Sequence, residues 1–229
     1  MASLAFELFA SLLAPPRCAA CDTPAAWLAA FCPSCAQTAE PQKNDDPCDI
    51  AAFAYGGAVA RAIARFKYEA RPDLARPLGD LLARAVAAHS AALAGCLVVP
   101  VPLHRTRLAA RGFNQAALLA ARVARRMGAP VLPLLLARDR DTGQQAKLDR
   151  RARAENVAGA FRVRQPEDVR GRAVLLVDDV CTTGATLGAC SRALIEAQAR
   201  WVARAVVARS GAAAVDQGGG GGGGPSGSR

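Results

Sequence analysis

Thirteen residues near the carboxyl end, 174–186 (VLLVDDVCTTGAT), constrain this chain more than any other part of it. Val174, Leu175, Leu176 and Val177 are too few for a helix core but suit a strand buried on both faces. Two adjacent carboxylates, Asp178 and Asp179, follow at the carboxyl end of that strand. Thr182, Thr183, Gly184, Ala185 and Thr186 come next, small and rich in hydroxyls, with a glycine free to take positive φ. A helical pattern then begins, placing Leu187, Cys190, Leu194 and Ile195 on one face. Strand, loop and helix in this order gather backbone N–H groups at a helix N-terminus, which is an anion site. The threonines add hydroxyl donors, and the paired acids offer acceptors to vicinal hydroxyls. A ribose 5-phosphate fits, its sugar on the acids and its phosphate in the loop. Helix capping alone accounts for one Asp and one Thr, not for an unbroken acid pair followed by three threonines.

With 229 residues the chain can bury one sizeable core and a small accessory module. A hydrophobic content of 52% excludes a largely disordered protein. No apolar run reaches the ~18–20 residues that a membrane-spanning helix needs. Residues 1–14 carry Glu7 and lack a positively charged leader, so they read as an amphipathic helix with Leu4, Leu8 and Leu12 on one side. Formal net charge is +10, almost wholly from arginine, since lysine occurs only at Lys43, Lys67 and Lys147. That balance suits nucleic acid or polyphosphates, and equally a compositional bias towards Ala, Arg and Gly. Charge alone does not separate these readings.

Cys18-x-x-Cys21 and Cys32-x-x-Cys35 are two knuckles with ten residues between them. Each sets two thiolates on one tight turn, and together they complete a tetrahedral soft-ligand site for a structural zinc ion. So few large apolar residues flank them that metal binding would supply much of the module's stability. Disulfides compete as an account, but nothing marks the chain for an oxidising compartment, and a cytoplasmic location follows. Cys48 is a spare thiol or a ligand of an imperfect second site; burial as a small hydrophobe is the default for Cys48, Cys96 and Cys190. The polar stretch 40–47 marks a boundary, giving an N-terminal helix and zinc module at 1–47, a main domain at 48–210 and a Gly-rich tail at 211–229.

Through the main domain, residues 52–55 read as a strand and 58–67 as a helix with Val59, Ile63 and Phe66 inward. Arg61, Arg65 and Lys67 lie off that face, as a solvated basic surface or an anion-binding one. A second helix spans 74–93, and 96–101 is a buried strand ending in Leu103, His104 and Arg105. Such a loop at a strand's carboxyl end belongs on the ligand side of an open α/β sheet and suits pyrophosphate; a plain surface role for His104 weighs equally. A helix opens at 112–115 and runs through Arg126; 131–136 is a strand. Residues 138–153 are polar and charged without a sustained apolar face, as active-site lids are. Residues 201–208 supply the last strand.

At 174–186 the chain resembles the type I phosphoribosyltransferases, whose fingerprint for phosphoribosyl pyrophosphate (PRPP) is an apolar strand, two acids and Thr-Thr-Gly-x-Thr. The resemblance implies an open, mainly parallel sheet with helices on both faces. It assigns ribose contacts to Asp178 and Asp179, and 5-phosphate contacts to Thr182, Thr183, Gly184, Ala185 and Thr186. Residues 99–108 (VPVPLHRTRL), 111–115 (RGFNQ), Thr142, Gln145, Leu148, Arg153, Asn156 and Val157 narrow it further. Together they look like the ComF family, competence-associated proteins with an N-terminal zinc ribbon and a PRPP-type domain. What that resemblance implies is phosphoribosyl transfer from Mg²⁺-bound PRPP to an unidentified acceptor, with Leu103, His104 and Arg105 on the pyrophosphate. Arg138, Lys147 and Arg153 on the lid would steady the departing charge. The rival reading is a non-catalytic PRPP sensor, or a binder of single-stranded DNA and a helicase-like competence partner. Sparse aromatics, 5% of residues, weaken autonomous strand binding.

Overall fold

A computed structural model describes residues 16–140 and 159–211. The helix expected at 1–14, most of the lid (with Lys147 and Arg153), Asn156 and Val157, and the tail from 212 onward lie outside the described residues. In chain order the described elements are α1 (Pro33–Ala36), β1 (Asp49–Ala54), α2 (Gly57–Tyr68), α3 (Ala75–Ala87), β2 (Leu97–Pro100), α4 (Arg105–Arg111), α5 (Gln115–Met127), β3 (Leu136–Arg138), β4 (Phe161–Val163), β5 (Ala173–Cys181), α6 (Ala185–Glu196) and β6 (Trp201–Arg209).

β1, β6, β5 and β2 form one sheet in that order, every pairing parallel. Parallel sheets need cover on both faces, and the apolar run of β5 supplies it by alternation. Leu175 and Val177 face a core with Ile63, Phe66, Leu78, Leu82, Leu119 and Val123 from α2, α3 and α5. Val174 and Leu176 face the opposite core, with Leu187, Cys190 and Leu194 of α6 and Leu136 and Phe161 of the β3–β4 pair. This is the phosphoribosyltransferase-type layering that the sequence led us to expect. A fully buried leucine contributes about 1.5–3 kcal/mol, so the two half-cores together fix β5 at the centre of the domain.

Three segments differ from the sequence-based expectation. β5 runs on through both acids to Cys181 instead of ending before them. Residues 131–136 do not make a sheet strand: Val131 forms a single bridge to Val98, and β3 begins only at Leu136. Pro130 and Pro133 explain this, because neither can donate to a ladder. The helix expected at 74–93 is a 3₁₀ turn (Pro72–Leu74) followed by α3, which stops at Ala87. Cys96 and Cys190 are buried as expected, whereas Cys48 is exposed.

The polar stretch 40–47 does not hang free as a linker. Ala54 N–H donates to the Glu40 carbonyl (2.9 Å), Gln42 N–H to Ala52 (3.1 Å), and Asn44 exchanges two bonds with Ala51 (2.8 and 2.9 Å). It lies along the outer side of β1. The cysteine module likewise shares the core of the main domain: Cys18, Ala19, Phe31 and Cys35 belong to the same buried cluster as Phe66 and Leu78.

α2 starts under that module. The Ala58 N–H donates to Thr38 Oγ1 (3.0 Å), and the Thr38 hydroxyl donates to the Cys35 carbonyl (3.0 Å). Gly57 sits there at φ +48°, and a Cβ would lie 2.2 Å from the Thr38 carbonyl oxygen. Gly57→Ala therefore combines a backbone penalty with a clash against main chain, and we expect it to cost about 2–4 kcal/mol. Denaturant unfolding checks this; a loss under about 0.5 kcal/mol would show that the seam is loose.

Candidate functional site

The carboxyl ends of β5 and β2 lie side by side, since Val101 N–H donates to the Val177 carbonyl at 2.9 Å. This brings the acid pair, the loop at 182–184 and the loop at 101–104 to one edge of the sheet. Gly184 takes the left-handed conformation (φ 75°, ψ −1°) and begins α6 without a side-chain cap. Thr183 Oγ1 accepts from Ala185 N–H at 3.4 Å. Thr182 is exposed, and Thr183, Ala185 and Thr186 are half-buried.

The two acids differ sharply. Asp179 is 5% exposed, and its Oδ1 accepts from Lys67 Nζ at 2.9 Å. Asp178 is half-buried, and its Oδ1 accepts from the Asp179 N–H at 2.9 Å. Burial pushes the Asp178 carboxyl up to about 7, and the Asp179 charge pushes the same way. Lys67, the Asp179 N–H and Arg138 pull against that rise. Lys67 itself is held above the ordinary lysine range: burial opposes its charge, but the charge and hydrogen bond of Asp179, then Asp178, outweigh burial.

Around this pair stand the other sequence-predicted residues that the structure describes. Arg138, at the end of β3, lies over the Phe161 ring at 5.4 Å and reaches Asp178 electrostatically. Leu103 and His104 are half-buried and Arg105 exposed where β2 gives way to α4. His104 Nδ1 is 2.9 Å from Thr106 Oγ1 and accepts from Thr106 N–H at 3.4 Å, so the ring caps α4. Asn114 caps α5 and donates its amide to the Val101 carbonyl at 3.0 Å. Arg111 bridges Gln115 Oε1 (2.9 Å) and the face of Tyr68 (5.3 Å), whose side chain is 65% exposed beside Lys67.

Sequence reasoning missed Lys67. It placed Arg61, Arg65 and Lys67 together on one basic surface, whereas the structure divides them. Arg61 and Arg65 turn to the cysteine module and Lys67 turns to Asp179. Lysine's rarity in this chain was the available signal.

The four cysteines form a second, separate constellation. Their Sγ atoms all lie within 4.8 Å of one another, with Cys18, Cys32 and Cys35 buried and Cys21 exposed. Cys21 and Cys32 are 3.7 Å apart, close to the ~3.8 Å edge of a tetrahedron with ~2.3 Å metal–sulfur bonds. Hydrogen bonds from Thr23 and the Cys35 backbone draw the Cys32 thiol down to about 6, while burial pushes Cys35 up to about 12. Four sulfur ligands at this spacing would satisfy a dication such as zinc. All eight cysteines are free of disulfides.

Comparison with known proteins agrees with this fold. The Phosphoribosyl transferase domain family matches residues 114–217. The chain is 31% identical over 202 residues to DNA utilization protein YhgH of Escherichia coli (strain K12), covering 86% of this chain and 80% of that one. It is 32% identical over 184 residues to Competence protein F of Haemophilus influenzae, covering 78% of each. Over a shorter stretch, 44% of this chain, it is 33% identical to Competence protein ComFC of Bacillus subtilis.

The environment of Asp178 makes a stability prediction. Its native carboxyl keeps a proton between the ordinary 3.8 and about 7, so its contribution is fully present below 3.8 and is lost as pH rises through about 7. Asp178→Asn removes that loss, and we expect it to stabilise the fold at pH 8 by about 1–2 kcal/mol. The gap should narrow at pH 5. Denaturant unfolding at both values tests this, and a pH-independent difference would contradict it.

Proposed function

Since the chain belongs to the ComF family and carries a phosphoribosyltransferase domain, we propose that it binds PRPP with Mg²⁺ and transfers the phosphoribosyl group to an acceptor. The observation that carries this reading is the acid pair at the end of β5, set against the left-handed turn at Gly184 that opens α6. Asp178 and Asp179 accept from the ribose hydroxyls. Thr182, Thr183 and Thr186 donate hydroxyls to the 5-phosphate, and main-chain N–H groups where the loop at Gly184 and Ala185 opens α6 would join them. Leu103, His104 and Arg105 border the pyrophosphate. Magnesium bound with PRPP supplies countercharge to the diphosphate while keeping several of its waters.

Transfer breaks the bond between ribose C1 and the diphosphate as the acceptor's lone pair approaches C1. The demands on the protein are to stabilise departing negative charge and to exclude water. Arg138, whose charge acts on the Asp178 carboxyl, is proposed for the first. Lys147 and Arg153 are proposed to join it from the lid. Lys67 holds Asp179 through the 2.9 Å ion pair, so that this buried acid stays oriented as an acceptor.

In the cysteine module we propose a single structural zinc ion on Cys18, Cys21, Cys32 and Cys35. We propose a cytoplasmic location, a reducing compartment in which eight cysteines outside disulfides would persist. Among the described residues no helix is long and apolar enough to cross a membrane. The relatives' names support a role in competence or DNA utilization. The formal net charge of +10 admits a second reading, direct binding of single-stranded DNA with a helicase-like partner. Arg65, Arg209, Arg71, Arg122 and Arg162 are paired internally with Asp22, Asp49, Asp73, Asp80 and Asp139, which takes some of the basic charge away from that reading.

Calorimetry with Mg²⁺ and PRPP should show binding to wild type and at least about a tenfold loss on Asp178→Asn/Asp179→Asn. Equal affinity would remove the acids from the site. Incubation with a nucleobase panel should release diphosphate in a base-dependent way; silence across the panel leaves a sensor. Single-strand affinity that is weak and barely salt-dependent would eliminate DNA as a direct ligand. Native mass spectrometry should find one zinc ion, lost in Cys35→Ser.

A further inference from the structure

Helix α2 touches both constellations, on different sides of the same rod. Ala58, Arg61 and Arg65 follow a spacing of three and four and so share a stripe. Along it, Ala58 N–H bonds Thr38, Arg61 Nη2 donates to Cys35 Sγ (3.6 Å), and Arg65 Nη1 donates to the carbonyls of Cys18 (3.4 Å) and Ala19 (3.2 Å). Arg65 also pairs with Asp22 at 3.1 Å, a residue that Arg71 holds at 3.2 Å. Lys67 comes two positions after Arg65, ~200° further around the helix at 3.6 residues per turn, and meets Asp179 at 2.9 Å. A rigid helix thus fixes the distance between the cysteine cluster and the acid pair.

We propose that the four-cysteine centre positions Lys67 through α2, so that metal in the module and sugar phosphate on the acid pair bind cooperatively. The proposal rests on the function read above and adds regulation of that site. Metal holds Cys18, Ala19 and Cys35 in place, and these are the groups that Arg61 and Arg65 grip. When they are released, α2 loses its anchor along the whole stripe, and Lys67 is free to leave Asp179. Asp179 would then be a buried carboxylate facing Asp178 with no neighbouring ammonium, a costly arrangement that weakens the pair as a ribose acceptor. Lys67, Arg61 and Arg65 are positioning residues here.

Coupling between sites is reciprocal in affinity. The test is therefore equilibrium competition for zinc between the full-length holoprotein and a chromophoric chelator, with and without saturating Mg²⁺ and PRPP. We expect the ligand to tighten zinc binding about fivefold or more in wild type. In Lys67→Ala that ratio should fall to about one, and the same solution conditions cancel any zinc held by the sugar phosphate itself. Arg61→Ala should shrink the ratio and Arg61→Lys should restore part of it. A merely structural role shifts zinc affinity equally with and without ligand, so only a change in the ratio reports coupling. An unchanged zinc affinity in a sample that calorimetry shows to be saturated with PRPP overturns the coupling and leaves the site reading standing. Should the holoprotein bind no PRPP, the site reading fails instead. The coupling, which rests on that reading, then falls with it.

Discussion

Two neighbouring carboxyl groups at the end of a strand buried on both faces set the terms for everything around them. Both cannot carry full charge in that place unless a cation is close. Lys67 answers for Asp179 at 2.9 Å, and Asp178 gives way, its carboxyl driven up to about 7 by burial and then by its neighbour. The position of Lys67 in turn depends on α2. That helix depends on Gly57 passing under Thr38 and on arginines reaching the cysteine module. Fold, accessory module and site are therefore one electrostatic problem solved with one helix.

Such an arrangement keeps the site away from its own stability optimum. A neutral group at Asp178 would suit the folded chain better above neutral pH, yet only a carboxylate can accept strongly from two sugar hydroxyls. Retaining the acid makes sense if the pocket is meant to be completed by a ligand that brings its own donors and a metal cation. The membership of the chain in the ComF family and its phosphoribosyltransferase domain fit that expectation.

Much of this was readable from the residues because the signals were local. The apolar run of β5, the Thr/Gly loop and the face of α6 at Leu187, Cys190 and Leu194 report on one strand-turn-helix unit, although Ile195, expected on that face, is exposed, and the knuckle spacing reports on one small module. What could not be read were meetings between distant positions. Nothing in the pattern 58–67 tells Arg61 and Arg65, which reach residues more than 25 positions earlier, from Lys67, which reaches 112 positions later. The helical period marks all three as off the core face, and only the packing of α2 between module and sheet separates them. The strand expected at 131–136 failed for a local reason that apolar content conceals, since two prolines remove the donors a ladder requires. Cys48 failed because hydrophobicity predicts burial on average, not at a strand's threshold.

The stretch 40–47 has a consequence for anyone dividing this chain. By composition it is a spacer, and a cut at 47/48 would look harmless. Yet the backbone of Glu40 and Gln42 and the side-chain amide of Asn44 close the open flank of β1. A fragment starting at Cys48 would leave that flank's amides and carbonyls bare, ready to zip onto another copy of itself. The connector is thus also a guard against self-association, and the catalytic-looking half of the chain is not a unit that can safely travel alone.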